Sequence, residues 1–192
     1  MNLLSLITKT RSFRRFDSTI EIEEKTLCEL INLARLAPSA RNAQPLKYLP
    51  VTKPADRDAI FPLLSWAGYL KDWDGPAAGE QPTAYIVVLK DRNIAENSYC
   101  DDGLAIQNIM LGATERGLGG CIIGAVAREK LHQHFALPKH LEILFVLALG
   151  KPAETVVLDE MTANDCRYWR DEHDIHHVPK RTLDEIILSI TK

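Results

Sequence analysis

Paired cysteines are missing from this chain. Cys28, Cys100, Cys121 and Cys166 stand singly, with no C-x-x-C spacing, which excludes a zinc knuckle and a thioredoxin-type redox centre. Isolated thiols of this kind are expected to be buried or neutral, in a reducing compartment. Cys121, although it lies in a glycine-rich segment, is read as a packing residue. No apolar run approaches the ~20 residues needed to span a bilayer. The opening MNLLSLITKT has neither a long apolar core nor a small-residue cleavage site. Basic excess is lacking as well: 23 Lys and Arg against 26 Asp and Glu leave a net charge of −3, whereas nucleic-acid-binding domains usually carry a strongly basic face. There is no Walker A sequence, no internal repeat and no low-complexity tract. The expectation is a soluble, cytoplasmic protein with no nucleic-acid or membrane partner.

What is present is globular in character. Apolar residues make up 46% of 192 positions and charges of both signs are spread among the rest, enough for one domain with a substantial core. The expected domain spans 1–192, with a C-terminal arm from about 155 to 192. In IEEKTLCELINLARLA, the residues Leu27, Leu30, Ile31, Ala34 and Ala37 recur at helical spacing. Pro38 ends that helix, and APSARNAQP follows as a loop. ADRDAIFPLLSW reads as a shorter helix kinked at Pro62. TAYIVVLKD and EILFVLALG read as buried strands. YCDDGLAIQNIMLGATERG is a central, buried helix, with Asp101 and Asp102 at its positive end and Gly117 at its stop. AREKLHQHFAL is a further helix. The tail mixes extended, charged parts with a last apolar stripe of Leu183, Ile186, Ile187 and Ile190. Helices with a few buried strands make the fold class α+β.

Three motifs carry candidate chemistry. GLGGCIIG, residues 117 to 124, fails as a dinucleotide fingerprint because the third glycine position holds Ile122 and no clear strand precedes it. It reads as a tight backbone turn beside something flat or bulky. His173, His176 and His177, with Asp171, Glu172 and Asp174, offer metal-ligand types, but their spacing matches no helical pair. A solvated polar strand or interface is the expectation there, and no metal is assigned. TRSFRRFD concentrates Arg11, Arg14 and Arg15 around Ser12. Arginine forks match phosphate oxygens and a serine hydroxyl adds a donor, so the segment reads either as a phosphate site or as a solvated charged turn.

In order along the chain, RSFRRF, an amphipathic helix with APSARNAQP, GLAIQNIMLGATERGLGGCIIG and LALGKPAE resemble the flavin-dependent nitroreductase family over essentially the whole length. YWRDEHDIHHVPKRTLDEII looks like the tail of a short-chain bacterial branch. The resemblance implies a nitroreductase-like fold, with a central, mostly antiparallel sheet flanked by helices and terminal segments swapped in a homodimer. FMN would lie at the subunit interface. It implies that Arg11, Ser12 and Arg14 serve the cofactor, with Arg14 nearest the ring, and that Arg15, at a commonly basic position of the motif, either joins them or points to solvent. Pro38, Ser39, Ala40, Asn42 and Gln44 would approach it partly from the neighbouring subunit. Ile122, Ile123 and Gly124 would pass one face of the ring, and Lys180 and Arg181 would close over the phosphate. Leu46 stands where the family often has tryptophan, and Lys151 where it has an aromatic. Gln107 and Asn108 would brace the site or the dimer from below.

The implied activity is hydride transfer from NADH or NADPH through N5 of FMN to a small electrophile such as a nitroaromatic or quinone, in ping-pong fashion, with no side-chain acid or base. Trp66, Tyr69, Lys71 and Trp73 are candidate substrate-pocket residues, the alternative being that the aromatics cover a core. Other readings remain open: a same-fold reductive dehalogenase or flavin-consuming enzyme, a non-catalytic flavin-binding protein, and a zinc-binding interaction protein built on the histidine-rich tail.

Overall fold

The structure, a computed structural model, describes residues 1–188; Ile190 of the terminal stripe lies outside them. Helix α1 (Leu3–Lys9) is capped by Asn2, whose side chain accepts from the Ser5 amide at 2.8 Å, yet it buries none of its residues. The short strand β1 (Phe16–Asp17) follows, then α2 (Glu24–Arg35), which buries Leu27, Leu30 and Ala34 as its stripe predicts. A 3-10 turn at Ala40–Asn42 leads into β2 (Leu46–Val51), a strand with no alternation to announce it. The helix expected over 55–66 is shorter. It runs as α3 (Pro54–Ile60), because Pro62 has no amide to give and the chain tightens into a 3-10 turn at Phe61–Leu63.

Strand β3 (Ala84–Asp91), helix α4 (Asp101–Glu115), strand β4 (Gly119–Ile123), helix α5 (Arg128–His134) and strand β5 (Leu141–Pro152) complete the core. All pairings in this five-stranded sheet are antiparallel, in the order β1-β5-β3-β2 with β4 also on β5. The long strand β5 meets β3 along one edge. Its other edge takes β4 opposite residues 146–150 and β1 opposite 151–152.

Both faces of the sheet are covered, which explains why β3 and β5 read as continuous apolar runs rather than alternating ones. Ala84, Ile86 and Val88 of β3, with Leu147 and Leu149 of β5, pack under α2 and α4. Tyr85, Val87 and Leu89, with Val146 and Ala148, face α3, α5 and Trp66. Gly112 lets α2 and α4 touch, since a Cβ there would collide with the Leu33 side chain. Beyond the core, β6 (Val156–Glu160), β7 (Trp169–Arg170) and β8 (His176–Lys180) form a second sheet, β8 parallel to β6 and antiparallel to β7. Helix α6 (Leu183–Ile186) opens with a Thr182–Glu185 capping box and buries nothing.

Candidate functional site

The glycine-rich segment is a strand, not the tight turn its sequence suggested. Only Gly117, with φ of 70°, makes a turn after α4. Gly119 and Gly120 lie in β4, where a Cβ would come 2.5 Å from the Phe13 ring and 2.5 Å from the Ala148 carbonyl oxygen respectively. Bare backbone there admits a neighbouring chain. Ser12 bridges Gly120, and the Phe13 amide donates to the Gly120 carbonyl at 2.9 Å. The arginine segment is thus laid against β4.

A buried carboxylate fixes the segment from below. Glu154, whose side chain is 1% exposed, accepts from the backbone amides of Arg14 and Arg15 and pairs with Arg170 at 2.9 Å. Charge-assisted bonds of this kind set the main chain firmly. From that backbone the Arg14 side chain extends so that Nη1 lies 3.2 Å from Nε2 of His176, and its guanidinium carbon sits 4.8 Å from the centre of the Tyr168 ring. Arg11 donates through Nη2 to the Ile7 carbonyl at the end of α1, and its buried Nε has no partner.

These residues open onto a cavity of about 310 Å³. Arg11, Ser12, Arg14, Ile122 and Lys180 line it, with Gln107 and Met110 from α4 and Tyr168, His176 and Val178 from the arm. No carboxylate lines this cavity, and among the described residues Arg11, Arg14 and Lys180 form no ion pair. Cys121 lies beside it, buried, its thiol pushed up by burial against the opposing pull of Arg14. The other three cysteines are exposed rather than buried.

Other expected residues lie elsewhere. Arg15 turns away, pairing with Glu80 at 3.4 Å and Asp174 at 3.3 Å, because Glu154 pins both neighbouring amides and the chain alternates sides. Arg181 pairs with Glu185 at the start of α6. Ile123 sends its side chain into the core, leaving only its main chain to face a ligand. The Gly124 carbonyl accepts from Arg128. Asn108 donates to the Leu33 carbonyl at 3.1 Å and so braces α2 rather than the cavity.

Pro38, Ser39 and Gln44 line a second cavity, of about 300 Å³, between α2, β2 and the start of α4. The two cavities share no lining residue. Asp101, buried at the first position of α4, accepts from the Ser39 hydroxyl at 2.6 Å and the Ala40 amide at 2.9 Å. The Ser39 oxygen in turn accepts from the Gln44 amide. Arg41, Asn42 and Gln44 adopt positive φ, which leaves Asn42 and Gln44 exposed.

Of the four substrate-pocket candidates, Trp66 belongs to the core and its indole nitrogen is buried without a partner. Trp73 lies under the Arg170 guanidinium, 4.4 Å from its carbon. Tyr69 is half exposed and meets Tyr168 edge-on at 5.0 Å, and Lys71 is exposed. The segment therefore packs on the arm beside the first cavity.

The histidines diverge. His173 is exposed. His176, expected in a solvated polar strand or an interface, is 1% exposed within the chain itself, and burial next to Arg14 and Arg170 holds its pKa down to about 4. His177 lies on the opposite side of β8, with Nδ1 2.8 Å from Asp159 and Nε2 3.3 Å from Asp171, stacked on Trp169. Those carboxylates, Asp159 foremost, raise its pKa. The alternation His176, Val178, Lys180 along β8 is a period of two. That was the signal for the arm residues that sequence reasoning missed.

A protein-family model described as the nitroreductase family matches residues 7–151. A Bacillus subtilis (strain 168) protein named as the NAD(P)H nitroreductase YdgI is 25% identical over 191 residues, covering 80% of this chain and 90% of its own. The solved structure of a Parabacteroides distasonis protein, described as an NADH dehydrogenase/NAD(P)H nitroreductase, superimposes with TM-score 0.67 at 24% identity, over 88% of this chain and 96% of that one. An FMN-dependent nitroreductase structure from Clostridium difficile R20291 gives 0.64 at 19%, over 85% and 92%.

Proposed function

The chain belongs to the nitroreductase family, and we propose that it is an FMN-dependent oxidoreductase, driven by NADH or NADPH, acting on a small electrophile such as a nitroaromatic or quinone. The observation that carries this reading is the first cavity: Arg11, Arg14 and Lys180, none of them paired with a carboxylate among the described residues, around Ser12. Three cations converging on one concave site with no carboxylate among them focus a positive field that suits an anion, and the orphaned Arg11 Nε points to the same need. A phosphate monoester fits that donor set. Met110, Ile122, Val178 and Tyr168 supply an apolar and aromatic lining that fits a flat ring.

Bound there, FMN would supply hydride chemistry between the nicotinamide and the acceptor. The chain's own residues bind, orient and tune. Arg11, Ser12 and Lys180 hold the phosphate and ribityl chain, while Arg14, set back against His176, offers positive charge to the ring. Tyr69, edge-on to the cavity's Tyr168, would meet the acceptor, with the exposed Lys71 two residues on.

A homodimer belongs to the same reading. The loop bearing Pro38, Ala40, Asn42 and Gln44 is rigidly held by Asp101 yet lines a different cavity from the arginines, so a second copy would bring the two halves together. Unpartnered apolar side chains agree: Leu3, Leu4 and Ile7 on α1, Leu36 and Leu104, and Leu183 and Ile186 on α6 are all exposed.

The test is optical. Purified protein reconstituted with FMN turns yellow and bleaches under NADH or NADPH without oxygen, and the colour returns on adding a nitroaromatic or quinone. A protein that takes up no FMN sinks the proposal; one that binds FMN but shows no turnover with any acceptor is a flavin-binding protein only.

A further inference from the structure

We propose that His176 is a positioning residue for Arg14, setting the direction in which that guanidinium presents its charge to the cavity. The inference rests on the reading of this cavity as a flavin site. Arg14 has two anchors, and they act on different parts of it. Glu154 holds its backbone amide. The guanidinium is held chiefly from the arm, by the Tyr168 ring on one side, 4.8 Å away, and by Nε2 of His176 at 3.2 Å, with a longer contact from Nη1 to the Ser12 carbonyl at 3.5 Å.

Chemistry fixes the proton. A guanidinium nitrogen can only donate, so Nε2 of His176 accepts, and a neutral ring with Nε2 free carries its proton on Nδ1. That Nδ1 is buried without a partner. A lone donor buried in this way is a cost, borne here by a ring whose other nitrogen faces the cofactor arginine. A merely space-filling residue at 176 would be apolar. Phe would fill the same volume beside Tyr168 with no orphaned donor. What imidazole adds is an acceptor aimed at Arg14 from a strand whose alternate residues, Val178 and Lys180, line the same cavity.

Two measurements decide it. Histidine-selective nitrogen NMR of the flavin-free protein should show His176 as the Nδ1–H tautomer, with an Nε2 resonance that moves in Arg14→Ala. An Nε2–H tautomer, or a resonance indifferent to Arg14, overturns the proposal even if His176→Phe does not fold. FMN affinity then gives a double-mutant cycle. His176→Phe should weaken FMN about tenfold, the worth of a hydrogen bond to a charged group, whereas His176→Gln, which keeps an acceptor, costs less than about threefold. In an Arg14→Ala background, His176→Phe should cost nothing further. Equal losses in both backgrounds would show that His176 acts independently of Arg14. If the unaltered chain binds no FMN, the flavin reading fails, and the NMR result still decides whether His176 positions Arg14.

Discussion

At the scale of single residues, most of the site's geometry traces to one carboxylate. Glu154 ties the arginine segment to the arm through Arg14, Arg15 and Arg170, and Arg170 goes on to cover Trp73. Glu154→Ala leaves a buried guanidinium and two amides without their acceptor. Breaking a buried pair from one side costs about 3–5 kcal/mol, so urea unfolding should show a loss of that size, while exposed pairs such as Arg181 with Glu185 contribute little. Arg14 is different in kind. Its charge faces the cavity, so Arg14→Ala should weaken FMN about tenfold or more and also lower the flavin's midpoint potential, because a nearby cation favours the reduced, anionic form. Potentiometry on the FMN-loaded variant checks this; weaker binding with an unchanged potential would remove Arg14 from the ring.

At the scale of elements, β8 places two adjacent histidines in opposite electrostatic environments. His177, between Asp159 and Asp171, has its pKa raised; the folded arm therefore holds a proton that the unfolded chain releases near pH 6.5. Its contribution is complete below that value and is lost as pH rises through the folded pKa. His176 works the other way: with a folded pKa of about 4, it destabilises the fold as pH falls from about 6.5 toward 4. Hydrogen exchange in β6 and β8 should thus show greatest protection near about pH 6.5, and His177→Ala should abolish the alkaline decline alone. Buried strands β3 and β5 and helices α2 and α4 were legible because their apolar patterns are long. Strand β2 was not, since LKYLPV lacks alternation, and β4 was hidden by glycines that serve close packing against Phe13 and Ala148. Arg11, Ser12, Arg14, Ile122 and Lys180 could be found from motif order. His176 shares the period of two with Lys180 along β8, whereas nothing in the sequence marks Tyr168, which only the fold brings to Arg14.

At the scale of the whole molecule, the separation of the two cavities makes a prediction about mixing. If each flavin site takes Arg14 from one copy and Asn42 from the other, Arg14→Ala and Asn42→Ala chains refolded together should regain full-affinity sites. In a randomly paired population about one site in four is intact. FMN titration of the mixture reads that fraction, and none above the parents would place both residues in one copy. The central strand β5 has a further consequence, in the order of synthesis. Phe16 pairs with Pro152, the Arg14 amide with Glu154, and the Arg14 side chain with His176. Contacts so distant in sequence form slowly. On a ribosome, which extends the chain from its N-terminus, the arginine motif emerges well before the segments that anchor it. Arg14 stays unanchored until residues 154–176 have been made, so the first cavity takes shape only after the strands of the core sheet are complete.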